Sequence, residues 1–149
     1  MSAQDSAAIG RRWYELWNER DFDGASTLVD GGAVIIETPT NETFRGPDGS
    51  REENQKWATA FPDGRVEFRD AIPSDEAVAL ELTFRGTNTG PFASPTGEIP
   101  PTGRPVEFDY CTLWRIENGK IVAGRHYYDT ATVMRQLGLL DDVPAGDST

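Results

Sequence analysis

Cysteine and histidine are almost absent from this sequence of 149 residues, in which Cys111 and His126 are the only examples. A single cysteine excludes an intramolecular disulfide and a cysteine-based zinc cluster. A single histidine excludes the common metal sites that need two or three imidazoles. We therefore expect a protein that needs neither a metal ion nor another cofactor, with Cys111 as a small buried apolar residue.

Basic residues are also scarce, since 14 Lys and Arg stand against 25 Asp and Glu and the formal net charge is −11. Nucleic acids and anionic membranes bind basic surfaces, so neither is an expected partner. No stretch approaches the ~20 apolar residues of a membrane-spanning helix, and the first residues lack the pattern of a signal peptide. The sequence predicts a cytoplasmic protein.

Aromatic residues are numerous enough for a well-filled core, with four Trp, four Tyr and seven Phe. A chain of this length buries roughly 68–70% of its surface on folding, and neither an internal repeat nor a domain boundary is visible. We expect one domain over residues 1–149, with a flexible tail at 141–149.

The first part of the sequence predicts helices. Residues 5–19 place apolar side chains on one helical face, and Asp23 is a candidate cap of a second short helix that ends at Gly31-Gly32. The β-branched segment 33–37 predicts a buried strand. A third helix is expected to end just before Pro62.

The second part predicts long strands and a closing helix. Segments of alternating apolar and polar residues predict antiparallel strands at 65–72, 77–89, 106–116 and 121–128. A proline-rich loop is expected at 90–105 and a short helix at 130–137. Helices followed by such strands indicate the α+β class, with a curved antiparallel sheet wrapped by N-terminal helices into a cone around a central cavity.

Several short motifs, taken in order, resemble the SnoaL-like polyketide cyclases. They are Trp57–Asp63, Gly86–Phe92, Pro100–Arg104, Gly119–Ile121, Tyr127–Asp129 and Arg135–Gly138. The resemblance covers roughly Ala8 to Leu140 and implies the cone-shaped fold that ketosteroid isomerase, scytalone dehydratase and nuclear transport factor relatives share. It also implies a homodimer or a larger homo-oligomer.

By this resemblance the protein catalyses an intramolecular aldol condensation, without metal or cofactor, on a carbonyl-rich, apolar, polyketide-like molecule. The founding cyclases use an aspartate as acid/base in the last strand, and His126 occupies that position when counted from Gly119. Asn88 stands where many relatives have histidine. These differences leave other functions open, because one fold hosts many: a non-catalytic binding or interaction domain, or a divergent hydroxylase or hydrolase.

His126 has the chemistry that such a reaction needs. A neutral imidazole, with a pKa near ~6.5, takes a proton from a carbon beside a carbonyl group and returns it to oxygen. The alternative is a partly exposed strand residue bonded to a neighbour. Asp129 is a candidate to orient His126 or to act as the base, although its place before Thr130 also suits a helix N-cap.

Other residues are candidates for binding the substrate. Hydrogen-bond donors to developing negative charge are expected at Tyr110, Tyr128, Asn88 and Thr112, although Asn88 also suits a turn. Flat apolar walls are expected at Trp57, Phe61, Phe84, Phe108 and Trp114, which are equally suited to the core. Two carboxylates in apolar strands, Glu37 and Glu81, are pocket candidates unless arginines pair with them.

The register of the last hairpin decides which way His126 faces. A two-residue turn at Asn118-Gly119 places His126 opposite Cys111, whereas a three-residue loop places it opposite Tyr110. We favour the second, because His126 then shares a face with the aromatic and hydroxyl side chains Phe108, Thr112 and Trp114.

Overall fold

Four helices and eight strands make up residues 1–141, the part of the chain that the computed structural model describes. The helices are α1 (Ala3–Asn18), α2 (Phe22–Ser26), α3 (Gly46–Ala60) and α4 (Thr130–Gln136). The strands are β1 (Val29–Glu37), β2 (Glu42–Arg45), β3 (Arg65–Pro73), β4 (Ala77–Thr87), β5 (Phe92–Ser94), β6 (Gly97–Ile99), β7 (Pro105–Glu117) and β8 (Lys120–Tyr127). Most of the predicted tail, residues 142–149, lies outside the described residues. Within residues 1–141, no helix is long and apolar enough to cross a membrane.

Six of the strands form one sheet in the order β2-β1-β8-β7-β4-β3. Neighbouring strands are antiparallel except for β1 and β8, which run parallel. Helix α1 packs on β3 and β4, and α3 packs on β1 and β2. The predicted α+β class, with helices closing a curved, mostly antiparallel sheet into a cone, is confirmed.

The two long helices have clear start signals and aromatic inner faces. Ser2 and Asp5 form a reciprocal capping box at the start of α1, and Pro47 lies in the first turn of α3. Helix α1 buries Trp13, Tyr14 and Trp17 against the sheet. These rings form one side of the space between the helices and the sheet.

The second helix is shorter than predicted. Asp21, not Asp23, caps α2 by accepting a hydrogen bond from the Gly24 amide. The chain leaves the helix after five residues, because pairing with β8 begins at Val29. The Gly31-Gly32 pair therefore lies inside β1 instead of ending a helix.

The proline-rich segment predicted as a loop contains the two-stranded hairpin β5–β6. Phe92 of this hairpin is buried, and its ring centroid lies 4.9 Å from that of Trp57 on α3. The hairpin is thus packed against α3.

The turn between β7 and β8 has two residues, as in the first of the two predicted registers. Asn118 and Gly119 both have positive φ angles, 51° and 76°, and the turn pairs Glu117 with Lys120. Beyond the turn, β8 contains one extra residue, Val122, opposite the step from Ile116 to Arg115 in β7. This bulge changes the register of the rest of the hairpin.

After the bulge, His126 lies opposite Thr112. The two predicted partners, Cys111 and Tyr110, are both wrong, because neither prediction included an extra residue in β8. The predicted inner face is nevertheless the observed one, since the buried residues of β7 on this side are Phe108, Thr112 and Trp114. The bulge therefore turns the imidazole towards the helices.

Gly124 shows how closely β8 packs on this face. It pairs with Trp114, and a Cβ atom at Gly124 would lie 2.3 Å from Cζ3 of that ring. We expect Gly124→Ala to lower the free energy of unfolding by about 1–3 kcal/mol, because the ring would have to shift. Urea denaturation measures the change.

Gly31→Ala is the matched control, because a Cβ there would meet nothing within 4 Å. It should change the free energy of unfolding by less than about 0.5 kcal/mol. Equal effects of the two substitutions would contradict this description of the packing.

Candidate functional site

A partly enclosed cavity lies between the inner face of the sheet and helices α1 and α3. Its volume is about 50 Å³, room for a few water molecules at ~10–15 Å³ each. Eight aromatic side chains form most of the wall, and the polar groups among them come from Glu37, Glu53, Asn54 and His126. An apolar hollow with a few convergent polar groups is the usual form of a ligand site.

His126 reaches the cavity from β8, and both of its ring nitrogens have partners. Nε2 lies 3.2 Å from Glu53 Oε1 on α3, and Nδ1 lies 2.7 Å from Thr112 Oγ1 on β7. The Thr112 hydroxyl is in turn 2.6 Å from the Tyr14 hydroxyl on α1. His126 is only 6% exposed, so it is not the partly exposed strand residue of the alternative prediction.

His126 and Glu53 form a buried ion pair. Burial acts to lower the pKa of His126, but the Glu53 carboxylate outweighs burial and holds that pKa above its usual value. Burial likewise acts to raise the pKa of Glu53, but the imidazolium outweighs it and lowers that pKa. Each group keeps its charge because the other is present.

This pair stabilises the folded protein most strongly in a limited pH range. Because the pKa of folded His126 is raised, its contribution is complete below the usual value of 6.5 and is lost as the pH rises through the folded pKa. Because the pKa of folded Glu53 is lowered, its contribution is complete above the usual 4.5 and is lost as the pH falls through the folded pKa. Both contributions are complete between these values.

Glu37 is the second buried carboxyl group, at the end of β1 and beside His126 in the sheet. Lys56 Nζ lies 2.8 Å from its Oε1, and Trp57 Nε1 lies 2.9 Å from its Oε2. Burial and the Glu53 carboxylate raise the pKa of Glu37 to about 7, against the effect of Lys56. Carboxyl groups shifted in opposite directions in one cavity are typical of acid/base sites. Among residues 1–141, no three His, Cys, Asp or Glu side chains are placed to hold a metal ion.

Two polar atoms of the cavity wall have no hydrogen-bond partner among residues 1–141. Glu53 Oε2 is an acceptor and Asn54 Nδ2 is a donor. Buried polar groups nearly always have partners, and the Glu53 carboxylate gains one when Glu37 is protonated, because the Glu37 carboxyl group then donates a hydrogen bond to it. Burial also raises the pKa values of Tyr110 and Tyr128 well above their usual range, so both hydroxyls stay protonated, and that of Tyr128 donates to Glu37 Oε1 at 3.3 Å.

The structure brings most of the predicted site residues together. Those that line the cavity are His126, Glu37, Trp57, Tyr110, Tyr128, Phe84 and Phe108. Three others lie directly behind this wall: Thr112 bonds His126, Trp114 packs edge-on against the His126 ring at 5.3 Å, and Phe61 stacks on Trp57 at 5.9 Å.

Four predicted residues are placed differently. The exposed Asp129 carboxylate accepts a hydrogen bond from the first turn of α4 as its N-cap, so it neither orients His126 nor acts as the base. The buried Asn88 side chain bonds the backbone of three separate segments, which fastens a loop instead of binding substrate. Glu81 is exposed on β4, and Cys111 is only partly buried.

Glu53, Tyr14 and Lys56 belong to the site but carry no distinctive motif in the sequence. Glu53 lies four residues before Trp57, so helical spacing places both on the inner face of α3. Tyr14 lies between two tryptophans on the apolar face of α1. The spacing to Trp57 is the signal that could have identified Glu53.

Comparison with known proteins agrees with this fold. A sequence profile of the family described as SnoaL-like polyketide cyclase matches residues 7–137. The chain therefore belongs to the SnoaL-like polyketide cyclase family, and the resemblance of the sequence motifs is confirmed. No curated protein is similar enough in sequence to count as a match.

Solved structures of the same architecture come from several bacteria. IdmH of Streptomyces antibioticus, a proposed polyketide cyclase, is 26% identical with a TM-score of 0.74, over 89% of this chain and 98% of IdmH. AclR of Streptomyces galilaeus, a proposed hydroxylase, is 24% identical with a TM-score of 0.79, over 96% and 87%. An epoxide hydrolase-like protein of M. tuberculosis is 16% identical with a TM-score of 0.69, over 91% and 90%. The last two share the fold alone.

The charge state of His126 can be measured directly, because it is the only histidine in the sequence. We expect NMR titration of its imidazole signal to give a pKa above 6.5 in the wild-type protein. In Glu53→Gln the pKa should fall below 6.5, because burial remains while the carboxylate is gone.

Glu52→Gln is the matched control, since Glu52 is the exposed neighbour of Glu53 on the same helix. It should leave the His126 titration unchanged. A His126 pKa that stays the same in Glu53→Gln would contradict the ion pair.

Proposed function

We propose that the protein is a cofactor-independent acid/base enzyme that moves a proton at a carbon beside a carbonyl group, as intramolecular aldol condensation requires. The observation that carries the proposal is a cavity lined by three buried ionisable groups, Glu37, Glu53 and His126, together with the amide of Asn54. Such a reaction needs a base for the carbon and a donor for the developing enolate oxygen. Membership of the family and similarity to IdmH support a carbonyl-rich substrate.

The His126–Glu53 pair supplies the acid/base group in this proposal. Glu53 Oε2 takes the proton from the substrate carbon, while His126 holds the other carboxylate oxygen. Because the two groups are coupled, the proton belongs to the pair and not to one residue. The pair then returns the proton to the oxygen of the product. Thr112 fixes the orientation of the imidazole through Nδ1.

Neutral donors stabilise the negative charge that develops on the substrate oxygen. The first candidate donor to this oxygen is Asn54 Nδ2, because it has no other partner among residues 1–141. Tyr110, whose hydroxyl stays protonated, lines the same cavity. Fixed donors in a water-poor site stabilise such charge more than water does.

The size of the cavity limits what can react inside it. About 50 Å³ accommodates roughly four heavy atoms, counted as waters. We infer that the reacting carbonyl group and its neighbouring carbon enter, while the rest of a polyketide-like substrate stays at the mouth. Deeper entry requires the half-buried side chains of Trp57 and Tyr128 to turn away.

A binding domain without catalysis is the main alternative. Such a cavity would be apolar or would contain only polar groups with partners. The wall instead carries three ionisable groups with shifted pKa values, Glu37, Glu53 and His126, and this pattern favours an enzyme.

Deuterium exchange into a small ketone tests the proposal without knowledge of the natural substrate. We expect the wild-type protein to accelerate exchange of the α-hydrogens of butanone in D₂O, followed by NMR. His126→Ala should slow the protein-catalysed rate at least ~100-fold, because the acid/base pair is broken. Asn54→Leu, which removes a donor but no charge, should slow it at least about tenfold.

Asp129→Asn is the control, because Asp129 is exposed and lies outside the cavity. Its rate should stay within about threefold of the wild-type rate. A wild-type rate equal to that of buffer, or a His126→Ala rate within threefold of wild type, would overturn the proposal.

A further inference from the structure

The charged side chains around the cavity do not balance. Three carboxylates, Glu37, Glu42 and Glu53, are bonded to two bases, Lys56 and His126. Lys56 Nζ lies 2.8 Å from a carboxylate oxygen of Glu37 and also 2.8 Å from one of Glu42, so its charge is shared. With all five groups ionised, this cluster has one excess negative charge.

The excess negative charge lies mainly at Glu37, which lines the cavity and shares the positive charge of Lys56 with Glu42. The charged and titratable groups that face it come from four elements and from the residue after β8: Glu53 and Lys56 on α3, Glu42 on β2, Tyr110 on β7, His126 on β8, and Tyr128. Burial, the Glu53 carboxylate and a hydrogen bond to that carboxylate raise the pKa of Glu37 to about 7, so a proton neutralises the excess charge at lower pH.

The aromatic walls of the cavity, like its excess negative charge, favour the binding of a cation. The cavity is lined by eight aromatic rings, and ring faces attract ammonium groups within about 6 Å. Lys56 Nζ already lies 5.4 Å from the ring centroid of Trp57. The Glu53 carboxylate, on a residue only 2% exposed, lies beside the Glu37 carboxyl group in the same cavity wall.

We propose that this cavity binds a small alkylammonium group, whose positive charge lies among the aromatic rings and beside the carboxylates of Glu37 and Glu53. A methylated ammonium group has about the number of heavy atoms that the cavity accommodates. If the proposed function is correct, the substrate is an amine-bearing carbonyl compound. The binding itself does not depend on that chemistry, so equilibrium titration tests it separately from the exchange assay.

Choline and 3,3-dimethylbutan-1-ol form a matched pair of probes, because they have the same shape and differ by one positive charge. We expect choline chloride, at constant ionic strength, to change the tryptophan fluorescence in a saturable way with a Kd on the order of a millimolar. Trp13, Trp17 and Trp57 line the cavity and report on its occupancy. The neutral alcohol should bind at least tenfold more weakly.

The pH dependence of choline binding tests the role of Glu37 in the unmodified protein. Choline keeps its charge at every pH, so only the protein titrates. As the pH falls below about 7, Glu37 gains a proton and the site loses its excess charge. We expect the Kd at pH 5.5 to be at least tenfold higher than at pH 8.

Two substitutions, Glu37→Gln and Glu81→Gln, each remove one negative charge. Comparing them distinguishes an effect at the binding site from an effect of the net charge of the protein. Glu37→Gln should weaken choline binding at least tenfold and reduce the pH dependence to the part that His126 contributes, while Lys56 keeps Glu42 as its partner. Glu81→Gln, on the exposed side of β4, should change the Kd by less than twofold. Phe108→Leu should weaken choline about threefold or more and leave the alcohol unaffected.

Several results would overturn the proposal. They are equal affinity for choline and the alcohol, a Kd that varies less than twofold between pH 5.5 and 8, and no saturation at 100 mM choline. Should Glu37→Gln fail to fold, the two experiments on the wild-type protein decide alone. If the protein catalyses exchange of butanone but does not bind choline, the proposed function is supported and the proposed ammonium site is contradicted.

Discussion

The ion pair between His126 and Glu53 crosses the interior and joins strand β8 to helix α3. Both side chains are almost fully buried, and a buried charge without a partner costs several kcal/mol. The helix and the strand must therefore meet in one arrangement, in which imidazole and carboxylate face each other. The hydroxyl chain from Thr112 to Tyr14 and the second carboxyl group at Glu37 are both placed relative to this pair.

Sheet topology explains why two carboxyl groups share one imidazole. Strand β1 runs parallel to β8 and places Glu37 beside His126, while α3 brings Glu53 from the opposite side. The imidazolium compensates Glu53 most directly, and Lys56 divides its charge between Glu37 and a half-buried acid outside the cavity. Two identical chemical groups therefore have different proton affinities. The proposed acid/base chemistry and the proposed cation binding both depend on this difference.

Much of the fold, and part of the site, could be predicted from the sequence. Alternation in the long strands and the order of the family motifs indicate the cone, and one ionisable residue among aromatics indicates His126. The bulge at Val122 could not be predicted, because β8 pairs on both edges and its register with the distant β1 shifts at the same place. Turn rules describe only the local Asn118-Gly119 geometry. Glu53 lacked a sequence signal of its own, because an acidic residue on a helix is usually solvated, and only the packing of α3 on the sheet buries it. The sequence allows Asp129 and Asn88 either a role in the site or a local structural role. Their hydrogen bonds to the nearby backbone give both the structural role.

The central claim is that His126 and Glu53 depend on each other, and a double-mutant cycle measures this dependence most directly. The free energy of unfolding would be compared for the wild-type protein, Glu53→Gln, His126→Gln and the double variant at pH 6. Each single substitution leaves a buried charge or a mismatched partner, so each should cost on the order of 3–5 kcal/mol. The double variant should cost clearly less than the sum, with a coupling of about 2 kcal/mol. Costs that add to within about 0.5 kcal/mol would contradict the account.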